Sequence, residues 1–266
     1  MSLTLVQIDA FTDRPFRGNP AAVCLLPAPR EDDFLQAVAG EMNLSETAFL
    51  TRRDDGDHDL RWFTPTVEVE LCGHATLASA HFLWQEGHAA AGETIRFHSQ
   101  SGSLLARQGD DGWIELDFPS QAVQPMGVLP GLAEALGEEP LFVGGNGSDL
   151  LVELASESIV RQRCPDVRAL GRFPARGVIV TAVGDNGADH DFVSRFFAPN
   201  AGVDEDPVTG SAHCALGPYW AAKLGKDELL GYQASARGGY VRVRPEGERV
   251  KLGGQAVTVL RAELSV

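Results

Sequence analysis

Lysine is almost missing from this chain. Lys223, Lys226 and Lys251 are the whole supply, and arginine raises the basic total only to 22 against 37 Asp and Glu. So few amines argue against Schiff-base or pyridoxal phosphate chemistry, which needs a lysine in a pocket. The net charge of −15 repels a phosphate backbone, so neither nucleic acid nor an anionic membrane is an expected partner. Cysteine is sparse as well. Cys24, Cys72, Cys164 and Cys214 form no C-x-x-C pair and no His/Cys cluster at zinc-ligand spacing, so a reduced protein without a metal is expected. No stretch approaches 18 apolar residues, and Met1 to Asp9 has neither a basic start nor a long apolar run. A cytoplasmic location is the expectation.

What the chain does have is a phrase said twice. Arg61-Trp62-Phe63-Thr64-Pro65-Thr66 followed by Gly73-His74-Ala75 reappears as Arg195-Phe196-Phe197-Ala198-Pro199-Asn200 followed by Gly210-Ser211-Ala212, at an offset of 134 to 137 residues, about half of 266. Solenoid units are far shorter, roughly 20 to 50 residues. The reading is two copies of one domain, 1–119 and 120–266, with the C-terminal strand able to join the first. The linker is placed at Pro119 to Pro130, where three prolines interrupt both periodicities.

Alternation predicts strands at Leu3–Phe11, Ala21–Leu26, Thr47–Thr51, Asp59–Phe63, Thr94–His98, Gly102–Arg107 and Trp113–Phe118. Helical spacing predicts Glu31–Met42 and Ala75–Gln85 between them. In the second half, strands are predicted at Asp149–Leu154, Gly177–Val183 and Asp191–Phe197, then again to Val266. Helices are predicted near Gly131–Leu136 and at Ser211–Leu224. A further helical stretch, Ser156–Arg163, reads as having no counterpart in the first half. Asp54–Asp57 and Gly109–Gly112 read as hairpin turns.

Each copy of the phrase ends a strand, turns, and starts a small-residue helix with Gly-x-Ala. A helix start exposes unpaired N–H groups and the positive end of the dipole, and glycine admits a ligand close to the backbone. Gly73 and Gly210 therefore either permit tight turns or cradle a carboxylate or phosphate in a cleft between the halves. His74 and Ser211 follow them. Before Gly210 runs Asp204-Glu205-Asp206-Pro207, in which Asp204 and Glu205 read as surface acids. Pro207 stiffens the chain at Asp206, which could carry a proton or fix a catalytic group. Glu46 opens a strand, where an acid is usually exposed. Asn146-Gly147-Ser148-Asp149 echoes it faintly and places Asp149 at the matching point of the second half. Asn19, in the turn Gly18-Asn19-Pro20, is a plain loop residue or an amide offered to a ligand. His58, His81, His88, His98, His190 and His213 read as surface or structural histidines, His213 being the least settled.

Taken in order, Asp9-Ala10-Phe11-Thr12, Gly18-Asn19-Pro20-Ala21-Ala22-Val23, Asn43-Leu44-Ser45-Glu46-Thr47, Cys72-Gly73-His74-Ala75-Thr76 and Glu205-Asp206-Pro207-Val208-Thr209-Gly210-Ser211-Ala212-His213 resemble the phenazine-biosynthesis-like, PhzF-type isomerases. The resemblance implies an α+β (mixed α/β) chain of the diaminopimelate epimerase-like fold: two pseudo-symmetric halves, each a curved sheet around a central helix. It further implies a cofactor-free homodimer that moves a proton within a small carboxylate-bearing substrate, with trans-2,3-dihydro-3-hydroxyanthranilate as the family's founding case. Glu46 is implied as the acid/base, His74 and Asp206 as its catalytic aids, and Asn19, Ser45, Gly73, Thr209, Gly210 and Ser211 as substrate-binding positions. Epimerases of this fold use two thiols, one before each glycine. Here Cys72 stands at one place and Thr209 at the other, so the symmetric two-thiol reaction is disfavoured. An epimerase using Cys72 or Glu46 and a non-catalytic small-molecule binder are the alternatives.

Overall fold

The structure, a computed structural model, describes residues 2–266. It divides into two compact units. The first runs to Asp117 and takes back Gly253–Val266, and the second is Phe118–Leu252.

In the first unit the strands are β1 (Ser2–Ala10), β2 (Asn19–Leu26), β3 (Glu46–Arg52), β4 (His58–Phe63), β5 (Glu68–Val69), β6 (Ile95–Ser99), β7 (Gly102–Gln108) and β8 (Ile114–Pro119). Two helices interrupt them, α1 (Asp32–Met42) after β2 and α2 (Gly73–Gln85) after β5. β1 and β2 form an antiparallel pair, and the chain then crosses through α1 to lay β3 parallel to β2, with Ala21 opposite Glu46. β4 returns antiparallel around the expected turn at Asp54–Asp57, which the Arg53 N–H closes on the Asp57 carbonyl, and a second crossover through α2 sets β6 parallel to β4. On its far side β1 pairs with the chain's last strand, Ala256–Ser265, which is why the C-terminus belongs here.

Both faces of this sheet are covered. Leu3, Leu5, Ala22, Cys24, Leu26, Phe49 and Phe63 pack with Leu35, Val38 and Ala39 of α1. The alternate residues Val6, Ile8, Val23, Ala48 and Leu50 are buried too, and α2 packs against β1, β2 and β3. Nine of the thirteen residues of α2 are buried, so it is apolar or small nearly all round, as befits a helix wrapped by a sheet.

The second unit repeats the plan. Its elements are β9 (Gln124–Pro125), α3 (Leu132–Leu136), β10 (Phe142–Gly145), β11 (Asp149–Glu153), α4 (Glu157–Gln162), α5 (Val167–Leu170), β12 (Gly177–Val183), β13 (Phe192–Ala198), β14 (Val203–Asp206), α6 (Gly210–Leu224), β15 (Leu229–Gln233), β16 (Gly239–Glu246) and β17 (Arg249–Gly254), before β18, the last strand already described. β11 and β12 are parallel, β13 runs antiparallel to β12, and β15 lies parallel to β13 across the α6 crossover. This is the order of β2, β3, β4 and β6. The stretch read as having no counterpart, Ser156–Arg163, is therefore corrected: α4, with α5, makes the β11-to-β12 crossover that α1 makes in the first unit. The linker stretch contains β9, paired with β10, and neither strand has a legible pattern.

Pro218 lies inside α6 and cannot supply the N–H that would bond the Cys214 carbonyl. The N–H of Gln121 donates to that carbonyl instead, at 3.1 Å. All four cysteines are free, and among the described residues no helix is long and apolar enough to cross a membrane.

Candidate functional site

The repeated arginines turn out to be clips. Arg61 on β4 donates from Nε and Nη2 to both oxygens of Glu68 at 2.7 Å, and its guanidinium lies 5.0 Å from the Phe63 ring. Arg195 on β13 grips Glu205 the same way, at 2.7 and 2.8 Å, and lies 4.8 Å from Phe197. Each clip ties the strand that ends in the phrase to the short strand leading into its helix. Two-pronged geometry is what makes arginine rather than lysine the residue for this task. Glu205 is thereby a structural acid.

In the first unit β3 opens with Glu46, just after the half-buried Ser45. Asn19 opens the neighbouring strand and is fully buried. Cys72, extended at φ −142°, precedes α2 without capping it, so the first N–H groups of α2, at Gly73 and His74, receive no bond from that side chain. His74 reaches Glu46, with its Nε2 3.0 Å from Oε2, while its Nδ1 lies 3.5 Å from the Cys72 sulfur. The Nε2 and Oε2 atoms sit at ion-pair distance, though off the axis of a good hydrogen bond, and both are buried. The side chain of His74 is 5% exposed and that of Glu46 is 18%.

Burial disfavours a charged His74, yet Cys72 and Glu46 outweigh it and hold the imidazole well above the ordinary histidine range. Burial, helped by Glu46, pushes the Cys72 thiol up, against the pull of His74. Both neighbours act on His74 through negative charge, Glu46 at Nε2 and Cys72 at Nδ1. Glu46, Cys72 and His74 each offer a ligand atom within 4.8 Å of the others and could hold a metal, though an ion there would have to displace protons from both sulfur and imidazole. A cavity of about 390 Å³ elsewhere in this unit, lined by Leu35, Phe49 and Arg61 among others, includes none of the expected site residues.

In the second unit Asp206 ends β14, and the Thr209 hydroxyl donates to its carboxylate. Thr209 precedes α6 without capping it, as Cys72 does for α2. The buried Gln233 fastens this turn: its Oε1 accepts from the Thr209 N–H at 2.9 Å, and its Nε2 donates to the Asp206 carbonyl at 2.8 Å. Ser211, second residue of α6 after Gly210, accepts from Nη2 of Arg176 at 2.9 Å. Arg176 also grips the buried Asp149, at 2.9 and 2.5 Å. Burial works against its charge, but Asp149 and then Asp206 raise its pKa. His213 is buried, with Nδ1 2.8 Å from the Thr209 carbonyl, and burial pushes it down to about 4. It is a neutral structural histidine. Thr76, two residues after His74 and at the place of His213 in the repeat, makes the matching bond to the Cys72 carbonyl at 2.5 Å.

Strand register corrects the reading of Asp149. Glu46 faces Ala21 and is followed by Thr47 opposite Phe63, whereas Gly177 faces Asp149 and is followed by Val178 opposite Phe197. The residue at the place of Glu46 is thus Gly177, and Asp149 matches Ala21. The second unit carries no acid at the Glu46 position. Arg176 and Gln233 escaped the sequence reading, since neither lies in a repeated motif and both act through partners 24 or more residues away.

The sequence profile of the phenazine biosynthesis-like protein family matches residues 8–262. A protein of Halalkalibacterium halodurans named as an uncharacterized isomerase is 52% identical over 265 residues, 99% of each chain. The crystal structure of a PhzF-family phenazine biosynthesis protein from Enterococcus faecalis superposes over the full length of both chains with a TM-score of 0.94 and 41% identity. A hydroxyproline epimerase from Agrobacterium vitis matches with a TM-score of 0.64 over 99% of this chain and 92% of its own; at 12% identity it is similar in fold alone, the diaminopimelate epimerase-like arrangement of two mixed α/β halves. With its profile matched nearly end to end, the chain belongs to the phenazine biosynthesis-like family and is an enzyme of the isomerase class.

Proposed function

We propose that the protein isomerises a small carboxylate-bearing metabolite by moving a proton, without metal or organic cofactor, and that Glu46 takes and returns that proton. The observation that carries this is the Glu46–His74 pair, in which the opening residue of β3 meets the start of α2 at 3.0 Å. A proton shift beside a conjugated or carbonyl system needs one group that accepts and releases it, and an imidazolium partner orients that carboxylate and balances its charge. No electron changes hands, so no redox group is called for. The uncapped N–H groups at Gly73 and Gly210 suit the substrate carboxylate and the charge that develops as the proton leaves, with Asn19, Ser45, Thr209 and Ser211 as further contacts. Asp206, tethered to Thr209, assists. The chemical model for the substrate is trans-2,3-dihydro-3-hydroxyanthranilate.

One-base chemistry fits the unlike halves. Gly177 stands where a second acid would be, and Thr209 where a second thiol would be. The test is proton exchange in D2O followed by NMR on the model substrate. Wild type is expected to wash deuterium into one C–H position, and Glu46→Gln to slow this by about 10²–10⁴-fold. Full turnover by Glu46→Gln overturns the reading. Loss of exchange in Cys72→Ala with Glu46→Gln still active would transfer the role to the thiol.

A further inference from the structure

The loop between β1 and β2, residues 11–18, is built around an aromatic side chain that the protein core does not use. Among the described residues only Phe11, Phe16 and Asn43 are non-glycines with positive φ. Asn43 is the left-handed cap of α1, an ordinary place for asparagine. Phe11, at φ 62°, is fully buried, and its ring lies so close to Gly254 that a Cβ there would stand 2.4 Å from it. Packing explains Phe11. It does not explain Phe16, which holds φ 67° while 76% exposed, the most exposed of the large hydrophobic residues. A bulky residue in the left-handed region is strained, and such strain persists only where the surroundings enforce it.

The surroundings do enforce it. The Phe16 N–H donates to Oδ2 of the fully buried Asp9 at 2.7 Å. Thr12 closes the preceding turn, accepting from the Arg14 N–H at 3.0 Å and donating to the Arg14 carbonyl at 3.1 Å. Gly18, at φ +63°, has the Ala10 carbonyl oxygen 2.0 Å from where a Cβ would be, so no other residue fits there. A buried carboxylate, a hydroxyl and an irreplaceable glycine thus hold one aromatic ring out in solvent. The loop leads directly into Asn19, and β2 lies parallel to β3 with Ala21 opposite Glu46. Phe16 therefore rises from the strand end that carries Glu46.

We propose that Phe16 is an apolar wall of the substrate site, its ring packing on the flat, unsaturated part of the carboxylate whose proton Glu46 moves. This assigns Phe16 as a specificity-determining residue for the flat part of that substrate. It rests on the reading of Glu46 given above.

Calorimetric titration with anthranilate, a flat carboxylate, tests it together with thermal melting and sedimentation. Wild type is expected to bind. Phe16→Gly weakens binding about tenfold while melting at the same or a higher temperature, because glycine relieves the left-handed strain. Phe16→Tyr keeps the affinity. Equal binding by Phe16→Gly, or none by wild type, overturns the proposal. So does a lower melting temperature of Phe16→Gly, which would make the ring structural, or a changed sedimentation coefficient, which would make it a contact between copies. The titration involves no proton transfer, so it and the exchange assay fail independently.

Discussion

His74 carries the most information per atom in this chain. One nitrogen faces a carboxylate and the other a thiol, and although burial opposes its charge, its partners raise its pKa well above the usual histidine range. A histidine raised on folding adds stability that is fully present below its unfolded value, near 6.5, and is lost as pH rises through the folded value. Two outcomes follow. In ¹⁵N-edited spectra His74 stays an imidazolium at pH 7 and loses its proton only on the alkaline side. The urea stability of wild type relative to Glu46→Gln shrinks between pH 6 and the alkaline limb. A His74 that titrates at or below 6.5 in wild type would sink the ion pair. At this scale the sequence was half legible. Residues beside a repeated glycine announced themselves, because a helix start is a local event. Arg176 and Gln233 did not, because their partners are fixed by strand pairing far along the chain.

Elements were legible where one face is buried and the pattern is local. β12 falls at the residues that alternation predicts, and β1, β3 and β4 within one residue at each end. β14 carries no legible strand pattern, since Val203-Asp204-Glu205-Asp206 has no apolar alternation and acids disfavour strands. It is a strand because Phe196 and Ala198 of β13 pair with it and Arg195 clips Glu205. The small residues of α6 tell a similar story. Gly217 looks like a poor helix residue, costing about 1 kcal/mol against alanine, yet a Cβ there would stand 2.4 Å from Cγ1 of Val243 on β16. Gly217→Ala is expected to lower urea-unfolding stability by about 1–3 kcal/mol despite its better propensity. In a Val243→Ala background the cost should vanish or change sign. An additive pair would show that the contact does not decide the residue.

Across the whole molecule, the duplication was readable from the repeated phrase, but the sequence left open which half takes the last strand. β18 reads as an alternating strand on its own; its pairing with β1 over Ser2–Ala10 is what assigns it to the first unit. Truncation after Leu252 would expose β1 as a long apolar edge, a template for aggregation. The shortened chain is expected to be insoluble or to lose the first unit's circular-dichroism signal. A monomeric, fully structured product would show β18 to be dispensable. By itself the sequence determined the longer strands and helices, the two helix starts and the family, because each depends on residues a few positions apart. Only the tertiary structure decided that Gly177 rather than Asp149 stands at the Glu46 position, and that Glu46 and His74 meet. A register is chosen by which faces of distant strands are buried together, and no local pattern encodes that choice.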